Sequence, residues 1–214
     1  MVDFRGISIH ITMTQTPPLA VLYVCTGNIA RSPLAEACAR EIAGSNGSAG
    51  LYTFSSAGTH AIDGDVPKPQ MLRAAPSVGV DVSSHRARKL TREECLEPDL
   101  ILAMSWDQVA HIWSLVPESW GKCFTIKEFI HWAKQEPARP RILFPDRVSH
   151  MRDRIAQAHD VRKRRRSEAG FWGGLRPQDL NLSEPNGHAE PEWHNLAQAV
   201  QMLVTDALRL VGGP

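Results

Sequence analysis

The chain alternates between two hydrophobic patterns. Short apolar runs bounded by turn residues predict buried strands, and longer segments with an apolar side chain at every third or fourth position predict helices. The predicted strands span residues 19–24, 51–55, 99–104 and 122–126. The predicted helices span residues 33–44, 67–78, 106–115, 127–134, 146–166 and 189–211, and Thr91 marks the start of another. Strands that alternate with helices predict an α/β fold, with helices flanking a four-stranded parallel sheet.

Length and composition are those of one ordinary globular domain. The 214 residues carry a net charge of +1, so the chain as a whole has no reason to bind nucleic acid or an anionic membrane. We expect a flexible N-terminal tail over residues 1–18 and a single domain over residues 19–214. That domain contains a basic helical insertion at about residues 135–178.

The basic character is concentrated inside the predicted insertion. Residues 139–166 contain ten Lys or Arg and three Asp or Glu, which gives a local net charge of +7. The simplest interpretation is a helix with a solvated, charged face. The alternatives are contacts with an acidic protein, a nucleic acid or a polyphosphate ligand.

Cysteine usage and hydropathy indicate the compartment. The four cysteines are Cys25, Cys38, Cys95 and Cys123. They form no C-x-x-C pair, and nothing marks the disulfide framework of a secreted protein. No run of 18 apolar residues predicts a membrane span. We therefore expect a cytoplasmic protein.

The first predicted strand ends in the stretch with the clearest chemistry. Cys25 follows the apolar run 19–24, and Arg31-Ser32 comes after five further residues, where a helical pattern begins. Loop N–H groups and a helix N-terminus converge on one point in such an arrangement, and they bind anions and stabilise a thiolate. Arg31 can donate two hydrogen bonds to a phosphate or another tetrahedral oxyanion. The pattern predicts a nucleophilic Cys25 in a phosphate cradle rather than an inert structural cysteine.

The stretch Cys25-Thr26-Gly27-Asn28-Ile29-x-Arg31-Ser32-Pro33 resembles the signature loop of the low-molecular-weight protein tyrosine phosphatases. The resemblance continues in family order through Ser55-Ser56-Ala57-Gly58-Thr59, the His85-x-Ala87-Arg88 segment, strand 99–104 and residues 124–129, which resemble actinobacterial members. It implies the parallel α/β fold of that family. It also implies that Ser56 hydrogen-bonds Asn28, and that Ser56 and His85 support the loop.

The resemblance implies a cysteine-dependent phosphatase that acts on phosphotyrosine or another phosphomonoester, without a metal or cofactor. Cys25 attacks phosphorus and forms a phosphocysteine, while Arg31 and the loop N–H groups hold the phosphoryl oxygens. The substrate-binding residues implied by the motif are Thr26, Gly27, Asn28, Ile29, Ala30 and Ser32. The expected partners are a phosphotyrosine protein or a small phosphomonoester, with no nucleic acid and no membrane.

The general acid departs from the family pattern. Relatives carry an Asp-Pro near the C-terminal helix, and the matching dipeptide here is Glu184-Pro185. We expect Glu184 to protonate the leaving group, since glutamic acid has similar acidity and one more methylene. In the alternative, Glu184 is a surface turn residue and the acid is lost. Asp179 is a weaker substitute, and Asp146 is discounted because no proline follows it.

Two further departures concern the substrate and Arg31. Many relatives enclose a phenyl ring with aromatic residues that residues 59–64 and 186–188 do not supply. Trp106 or the pair Phe171–Trp172 are the candidates to replace them. Ser105 stands where the family often has an acidic residue, so the usual partner that orients Arg31 is absent or replaced.

Two alternative functions remain open at this stage. Thiol-dependent arsenate reductases share the fold and loop, but they need resolving cysteines, for which Cys95 and Cys123 are the only candidates. A non-catalytic phosphate-binding or regulatory module is favoured by the missing Asp-Pro and the basic segment. Cys25 and Arg31 argue against that second alternative.

Overall fold

Four parallel strands form the centre of the molecule in a computed structural model, which describes residues 16–171 and 173–212. The strands are β1 (Leu19–Cys25), β2 (Tyr52–Gly58), β3 (Leu100–Ala103) and β4 (Cys123–Thr125). Their order in the sheet is β2-β1-β3-β4, and every neighbouring pair is parallel. The register pairs Cys25 with Gly58, and Val24 with Ala103. The carboxyl ends of the strands therefore meet at one edge of the sheet, beside Cys25.

Helices cover both faces of this sheet. They are α1 (Arg31–Ser45), α2 (Pro69–Ala74), α3 (Arg92–Leu96), α4 (Trp106–Leu115), α5 (Ile126–Ala133), α6 (Arg147–Ala169) and α7 (Glu190–Gly212). The core on one face joins β1 side chains such as Tyr23 to α1, α5, α6 and α7, and the other core joins Val24 to α3 and α4. The expected four-stranded α/β fold is confirmed. The strand predicted at 51–55 extends to Gly58.

Helix boundaries follow local sequence signals. Pro33 lies in the first turn of α1, where its missing N–H costs no hydrogen bond. Thr91 and Glu94 form the capping box of α3. Gly79, with φ of 77°, ends the single 3₁₀ turn that follows α2. The described residues contain no helix long and apolar enough to span a membrane.

The basic segment folds as α6, but its interpretation as a solvated face is wrong in part. Lys163 to Arg165 are exposed, whereas Arg154 and Arg162 are buried among apolar side chains. Arg162 donates to the Cys123 carbonyl at 2.7 Å and lies over the Phe124 ring, 3.9 Å from its centroid. The arginines therefore attach α6 to the core.

Most of the expected N-terminal tail, residues 1–15, lies outside the described residues. Thr16 and Pro17 contact α6 where the description begins. The Thr16 hydroxyl donates to Asp146 at 2.6 Å, and Arg152 donates to the Pro17 carbonyl at 3.2 Å.

Candidate active site

Cys25 ends β1 at the C-terminal edge of the sheet, and α1 begins at Arg31 after a five-residue loop. The Cys25 side chain is buried, with its Sγ 3.0 Å from the Ser32 hydroxyl and 3.2 Å from the Asn28 N–H. Both groups can donate to the sulfur, which suits the thiolate form. The N-terminus of α1 lies directly beside this point and favours negative charge there.

Asn28 holds the loop in shape from inside. It is buried and has a left-handed backbone with φ of 52°. Its Nδ2 donates to the Ser32 hydroxyl at 2.9 Å and to the Ser56 hydroxyl at 3.0 Å, while its Oδ1 accepts the Arg88 N–H at 3.0 Å. Because a backbone N–H can only donate, this last bond fixes which way the amide is turned. The contact between Ser56 and Asn28 is the one that the family resemblance implies.

His85 supports the same asparagine from the segment that follows α2. Its Nε2 lies 2.9 Å from the Asn28 carbonyl oxygen and 3.2 Å from Asn28 Oδ1. Two oxygen acceptors require a proton on Nε2. Burial lowers the pKa of His85 below its ordinary value, so the neutral Nε2–H tautomer fits this position.

Sequence reasoning assigned no role to two residues that hold the outer side of the loop. Gln108, buried on α4, donates to the Thr26 hydroxyl at 3.1 Å and accepts the Met104 and Ser105 N–H groups. A Cβ on Gly58 would lie 2.7 Å from the Thr26 carbonyl, so only glycine allows this approach. Ser105-x-x-Gln108 is a capping box, and that signal could have identified Gln108.

Arg31 is oriented by the loop that precedes α7. Its Nη1 donates to the Leu182 carbonyl at 3.0 Å, and its Nε lies 3.2 Å from Glu184 Oε2. The side chains of Arg31 and Glu184 are only 11% and 18% exposed. The structure thus places Glu184 beside the cradle and not on an isolated surface turn. Glu184 and Leu182 replace the acidic partner that is missing at Ser105.

Lys68 is the second cation on Glu184, and no local sequence pattern predicts this contact. Its Nζ forms an ion pair with Glu184 Oε1. Leu182 is anchored to the sheet because its N–H donates to the Met104 carbonyl at 2.7 Å. Lys127 donates to the Asn181 carbonyl at 2.6 Å. These bonds fix the loop that carries Glu184 against the ends of β3 and β4.

Asp179, the weaker substitute for Glu184, and the discounted Asp146 are held in contacts elsewhere. Asp179 pairs with Arg176 at 2.8 Å on the surface. Asp146 caps α6, and the hydroxyl of Thr16 together with the N–H of Ser149 lowers the pKa of its carboxyl to about 2. Such a group is ionised at neutral pH and cannot donate a proton there.

An aromatic group lies next to the loop that carries Glu184. The backbone N–H of Trp106 donates to Asn181 Oδ1 at 2.8 Å, which places the start of α4 beside the loop that holds Arg31. The Trp106 ring packs edge-on against Phe171, with centroids 5.6 Å apart, and Phe171 is about half exposed. Trp172, the other candidate for a ring-binding wall, lies outside the described residues.

The remaining cysteines are placed as packing residues. All four cysteines are free thiols. Cys95 and Cys123 belong to the core on the opposite face of the sheet from Cys25. Within residues 16–171 and 173–212, no cluster of three or more His, Cys, Asp or Glu side chains could hold a metal ion.

Comparison with known proteins assigns this site to a family. The sequence model of the low molecular weight phosphotyrosine protein phosphatases matches residues 20–157, which include Cys25, Arg31, Ser56 and His85. The chain belongs to this phosphatase family. The family is enzymatic, and the chain is accordingly a cysteine-dependent phosphatase. Arsenate reduction is not favoured by these matches.

The alignments with curated relatives in the phosphatase family cover most of the length of each relative. The probable low molecular weight protein-tyrosine-phosphatase EpsP of Ralstonia nicotianae is 34% identical over 122 residues, which are 57% of this chain and 80% of that protein. The low molecular weight protein-tyrosine-phosphatase Etp of Escherichia coli K12 is 34% identical over 125 residues, or 58% of this chain and 78% of Etp.

Solved structures show the same phosphatase fold. A low molecular weight protein tyrosine phosphatase from T. tengcongensis superposes with a TM-score of 0.63 at 24% identity, over 89% of this chain and 98% of that one. The YwlE arginine phosphatase from Geobacillus stearothermophilus gives a TM-score of 0.59 at 20% identity, over 88% and 90% of the two chains. At these identities the likeness concerns the fold alone.

Proposed function

We propose that this phosphatase hydrolyses aryl phosphomonoesters, and phosphotyrosine in proteins in particular, through a phosphocysteine on Cys25. The observation that carries the proposal is the meeting of three groups at one sheet edge. Cys25 Sγ lies at the base of the cradle, α1 opens with Arg31, and Glu184 contacts Arg31 from the facing loop. These are a nucleophile, an anion receptor and a proton donor in one place.

The first half of the reaction transfers the phosphoryl group to sulfur. The Cys25 thiolate attacks phosphorus in line, the S–P bond forms and the P–O bond to the phenol breaks. Arg31 and the N–H groups from Thr26 to Ser32 hold the three equatorial oxygens as charge develops on them. Glu184, in its carboxylic acid form, gives its proton to the leaving phenolate oxygen.

The second half returns the enzyme to its starting state. Glu184, now a carboxylate, takes a proton from a water molecule as that water attacks phosphorus. The S–P bond breaks, and inorganic phosphate leaves. The Ser32 hydroxyl, 3.0 Å from Sγ, donates to the departing thiolate and stabilises it.

Phosphotyrosine is the favoured substrate for two reasons. The curated relatives are described as protein-tyrosine-phosphatases. In this chain, Trp106 and Phe171 supply an aromatic wall beside the loop of Asn181 and Leu182. A phenyl ring packs edge-to-face or offset on such a wall, whereas phosphoserine has no ring to make this contact.

Hydrolysis of para-nitrophenyl phosphate and of two peptides tests the proposal. The enzyme should hydrolyse para-nitrophenyl phosphate, and Cys25→Ser should abolish this, since a hydroxyl is a poor nucleophile in a cradle suited to a thiolate. A phosphotyrosyl peptide should be turned over at least about tenfold faster than the phosphoseryl peptide of the same sequence. Activity that survives in Cys25→Ser would contradict the nucleophile, and equal turnover of the two peptides would contradict the substrate.

The role of Glu184 is tested through the leaving group. Phenol needs a proton as it departs, whereas para-nitrophenolate is stable without one. Glu184→Gln should therefore lower kcat/KM for phenyl phosphate by about 100-fold and for para-nitrophenyl phosphate by only a few fold. Equal losses on the two esters would show that Glu184 is not the acid.

A further inference from the structure

The Glu184 carboxylate bridges two cations from different parts of the chain. Oε2 lies 3.2 Å from Arg31 Nε, and Oε1 pairs with Lys68 Nζ. Arg31 is nearly buried, whereas the Lys68 side chain is 38% exposed. Glu184 is thus held between the bottom of the cradle and its rim.

This arrangement gives Arg31 two anions to bind. One Nη1–H is committed to the Leu182 carbonyl, and the Nε edge faces Glu184. A phosphate in the cradle needs paired N–H groups from the same guanidinium. Glu184 therefore competes with the phosphoryl group for Arg31 unless another cation holds the carboxylate.

Lys68 is held in the site through both its backbone and its side chain. Its backbone N–H donates to the Ile29 carbonyl at 2.9 Å, which ties it to the Cys25 loop. Its ammonium group lies 5.6 Å from the centroid of the buried Trp193 ring, at cation–π distance. Trp193 in turn donates to the Gly187 carbonyl at 2.9 Å, within the loop that carries Glu184. Lys68 is consequently placed by the same elements that place the nucleophile loop and the acid.

We propose that Lys68 is a positioning residue, which retains Glu184 at the rim when Arg31 turns to the phosphate. It acts in two ways: it weakens the competition of Glu184 for Arg31, and it keeps the carboxyl group within reach of the leaving oxygen. This inference rests on the proposed function of Glu184. The rival explanation is that Lys68 attracts anions simply by its charge, independently of Glu184.

Binding of inorganic phosphate separates the two explanations without any turnover. We compare the dissociation constants of wild type, Lys68→Met, Glu184→Gln and the double variant by calorimetry. Methionine keeps the methylene stem against Trp193 and removes the charge. Lys68→Met should bind phosphate about fivefold more weakly, because Glu184 then stays on Arg31. In the Glu184→Gln background the same substitution should change the constant by less than about twofold.

A direct effect of charge gives a different result. Lys68→Met would then weaken phosphate binding by the same factor in both backgrounds, and this outcome would overturn the proposal. Lys163→Met on the exposed part of α6 is the matched control, and it should leave phosphate binding unchanged.

Leaving-group dependence provides the second readout. Lys68→Met should lower kcat/KM for phenyl phosphate about tenfold more than for para-nitrophenyl phosphate, and Lys68→Arg should restore most of the loss. In the double variant, the loss of kcat/KM for phenyl phosphate relative to that for para-nitrophenyl phosphate should be no larger than in Glu184→Gln alone. A loss of the same size on both esters would indicate a structural role and refute the positioning of the acid.

These outcomes keep the inference separate from the proposed function. Wild-type hydrolysis that depends on Cys25, together with a leaving-group effect in Glu184→Gln but none in Lys68→Met, would reject the inference alone. If hydrolysis did not depend on Cys25, the proposed function would fail. The phosphate-binding comparison would then still decide whether Lys68 acts through Glu184.

Discussion

Asn28 shows how a single side chain keeps the Cys25 loop in an unusual conformation. Asparagine tolerates the left-handed backbone that the loop requires there better than a β-branched residue would. Its buried side-chain amide forms hydrogen bonds with the Ser32 and Ser56 hydroxyls and with the Arg88 N–H at the same time. Each such bond contributes roughly 1 kcal/mol, and an orphaned buried partner costs more. The loop is therefore held in its anion-binding shape by polar contacts that Asn28 makes with Ser32 and with two other segments of the chain.

Gly58 provides the sharpest residue-scale prediction. A Cβ there would meet the Thr26 carbonyl at 2.7 Å, the Ala61 Cβ at 2.8 Å and the Asn28 N at 2.9 Å. Because two of these are backbone atoms of the Cys25 loop, Gly58→Ala should displace the loop. We expect a loss of about 1–3 kcal/mol in the free energy of unfolding and at least about a tenfold loss in kcat/KM for para-nitrophenyl phosphate.

Gly50→Ala is the matched control, since nothing lies within 4 Å of its added Cβ. Urea unfolding and steady-state kinetics measure both variants. Wild-type activity in Gly58→Ala would mean that the loop accommodates the methyl group and that the close approach has no role.

At this scale, sequence patterns predicted contacts within motifs and missed those between distant segments. Cys25, Asn28 and Arg31 lie within seven consecutive residues, so their spacing alone indicates a cradle. Lys68 meets Glu184 only because α2 and the loop before α7 are brought to the same sheet edge. The sequence around either residue does not predict this contact, because the contact depends on the topology of the fold.

Helix α6 shows how a strongly basic element becomes part of a core. Glu128 on α5 is buried, and its carboxylate lies 3.8 Å from Arg162 Nη1 and 3.1 Å from Arg166 Nη2. Arg162 also donates to two backbone carbonyls from the segment that leads into β4. The Arg166 guanidinium lies 4.5 Å from the centroid of the Phe171 ring. One acidic residue therefore compensates two arginines that the apolar surroundings would otherwise disfavour.

Removing that compensation should destabilise the protein strongly. Glu128→Gln leaves two arginines without a counter-charge in a buried site. We expect a loss of about 3–5 kcal/mol in the free energy of unfolding, measured by urea denaturation. Glu168→Gln, which breaks the exposed pair with Arg165, is the control and should cost less than about 1 kcal/mol. Equal effects of the two substitutions would show that the buried cluster does not hold α6.

At the scale of elements, the sequence predicts the helices and strands but not the buried ion pairs of α6. The observed helices and strands begin and end close to the predicted positions because apolar periodicity and caps determine both. The charge count of residues 139–166 predicts a solvated face, whereas the apolar periodicity of the same run indicates a buried stripe. Arg162 lies four residues after Ala158 and seven after Ile155, so it falls on the buried stripe of α6. Its partner Glu128, on another helix, could not be identified from that pattern.

The stability of the whole molecule should depend on pH through His159. Burial and the neighbouring Arg162 lower its pKa from 6.5 to about 4. Below pH 6.5 the unfolded chain takes up a proton that the folded protein does not, so stability falls as the pH drops toward 4. His159→Gln should reduce the difference in unfolding free energy between pH 7 and pH 5 by about 1 kcal/mol, allowing for solvent screening of the half-buried ring. His194→Gln on α7 is the control, and identical pH profiles for wild type and His159→Gln would contradict the prediction.

The distribution of cysteines over the molecule predicts which thiol reacts in the native state. Burial raises the pKa of Cys38 to about 12 and that of Cys95 to about 11, and it raises the pKa of Cys123 as well. These thiols hold almost no thiolate at pH 7.5 and should resist alkylation. Cys25 lies in a different environment, since the Asn28 N–H and the Ser32 hydroxyl contact its sulfur in an anion-binding loop.

Iodoacetate should therefore label a single cysteine in the native protein. Mass spectrometry of peptides should place the label on Cys25, and Cys25→Ser should take up none under the same conditions. Inorganic phosphate should slow the reaction, because it occupies the cradle that the anionic reagent must enter. All four thiols should react in guanidinium chloride, since unfolding exposes the other three to water. Labelling of Cys38, Cys95 or Cys123 ahead of Cys25 would contradict the assignment of the anion site, as would a rate that phosphate does not change.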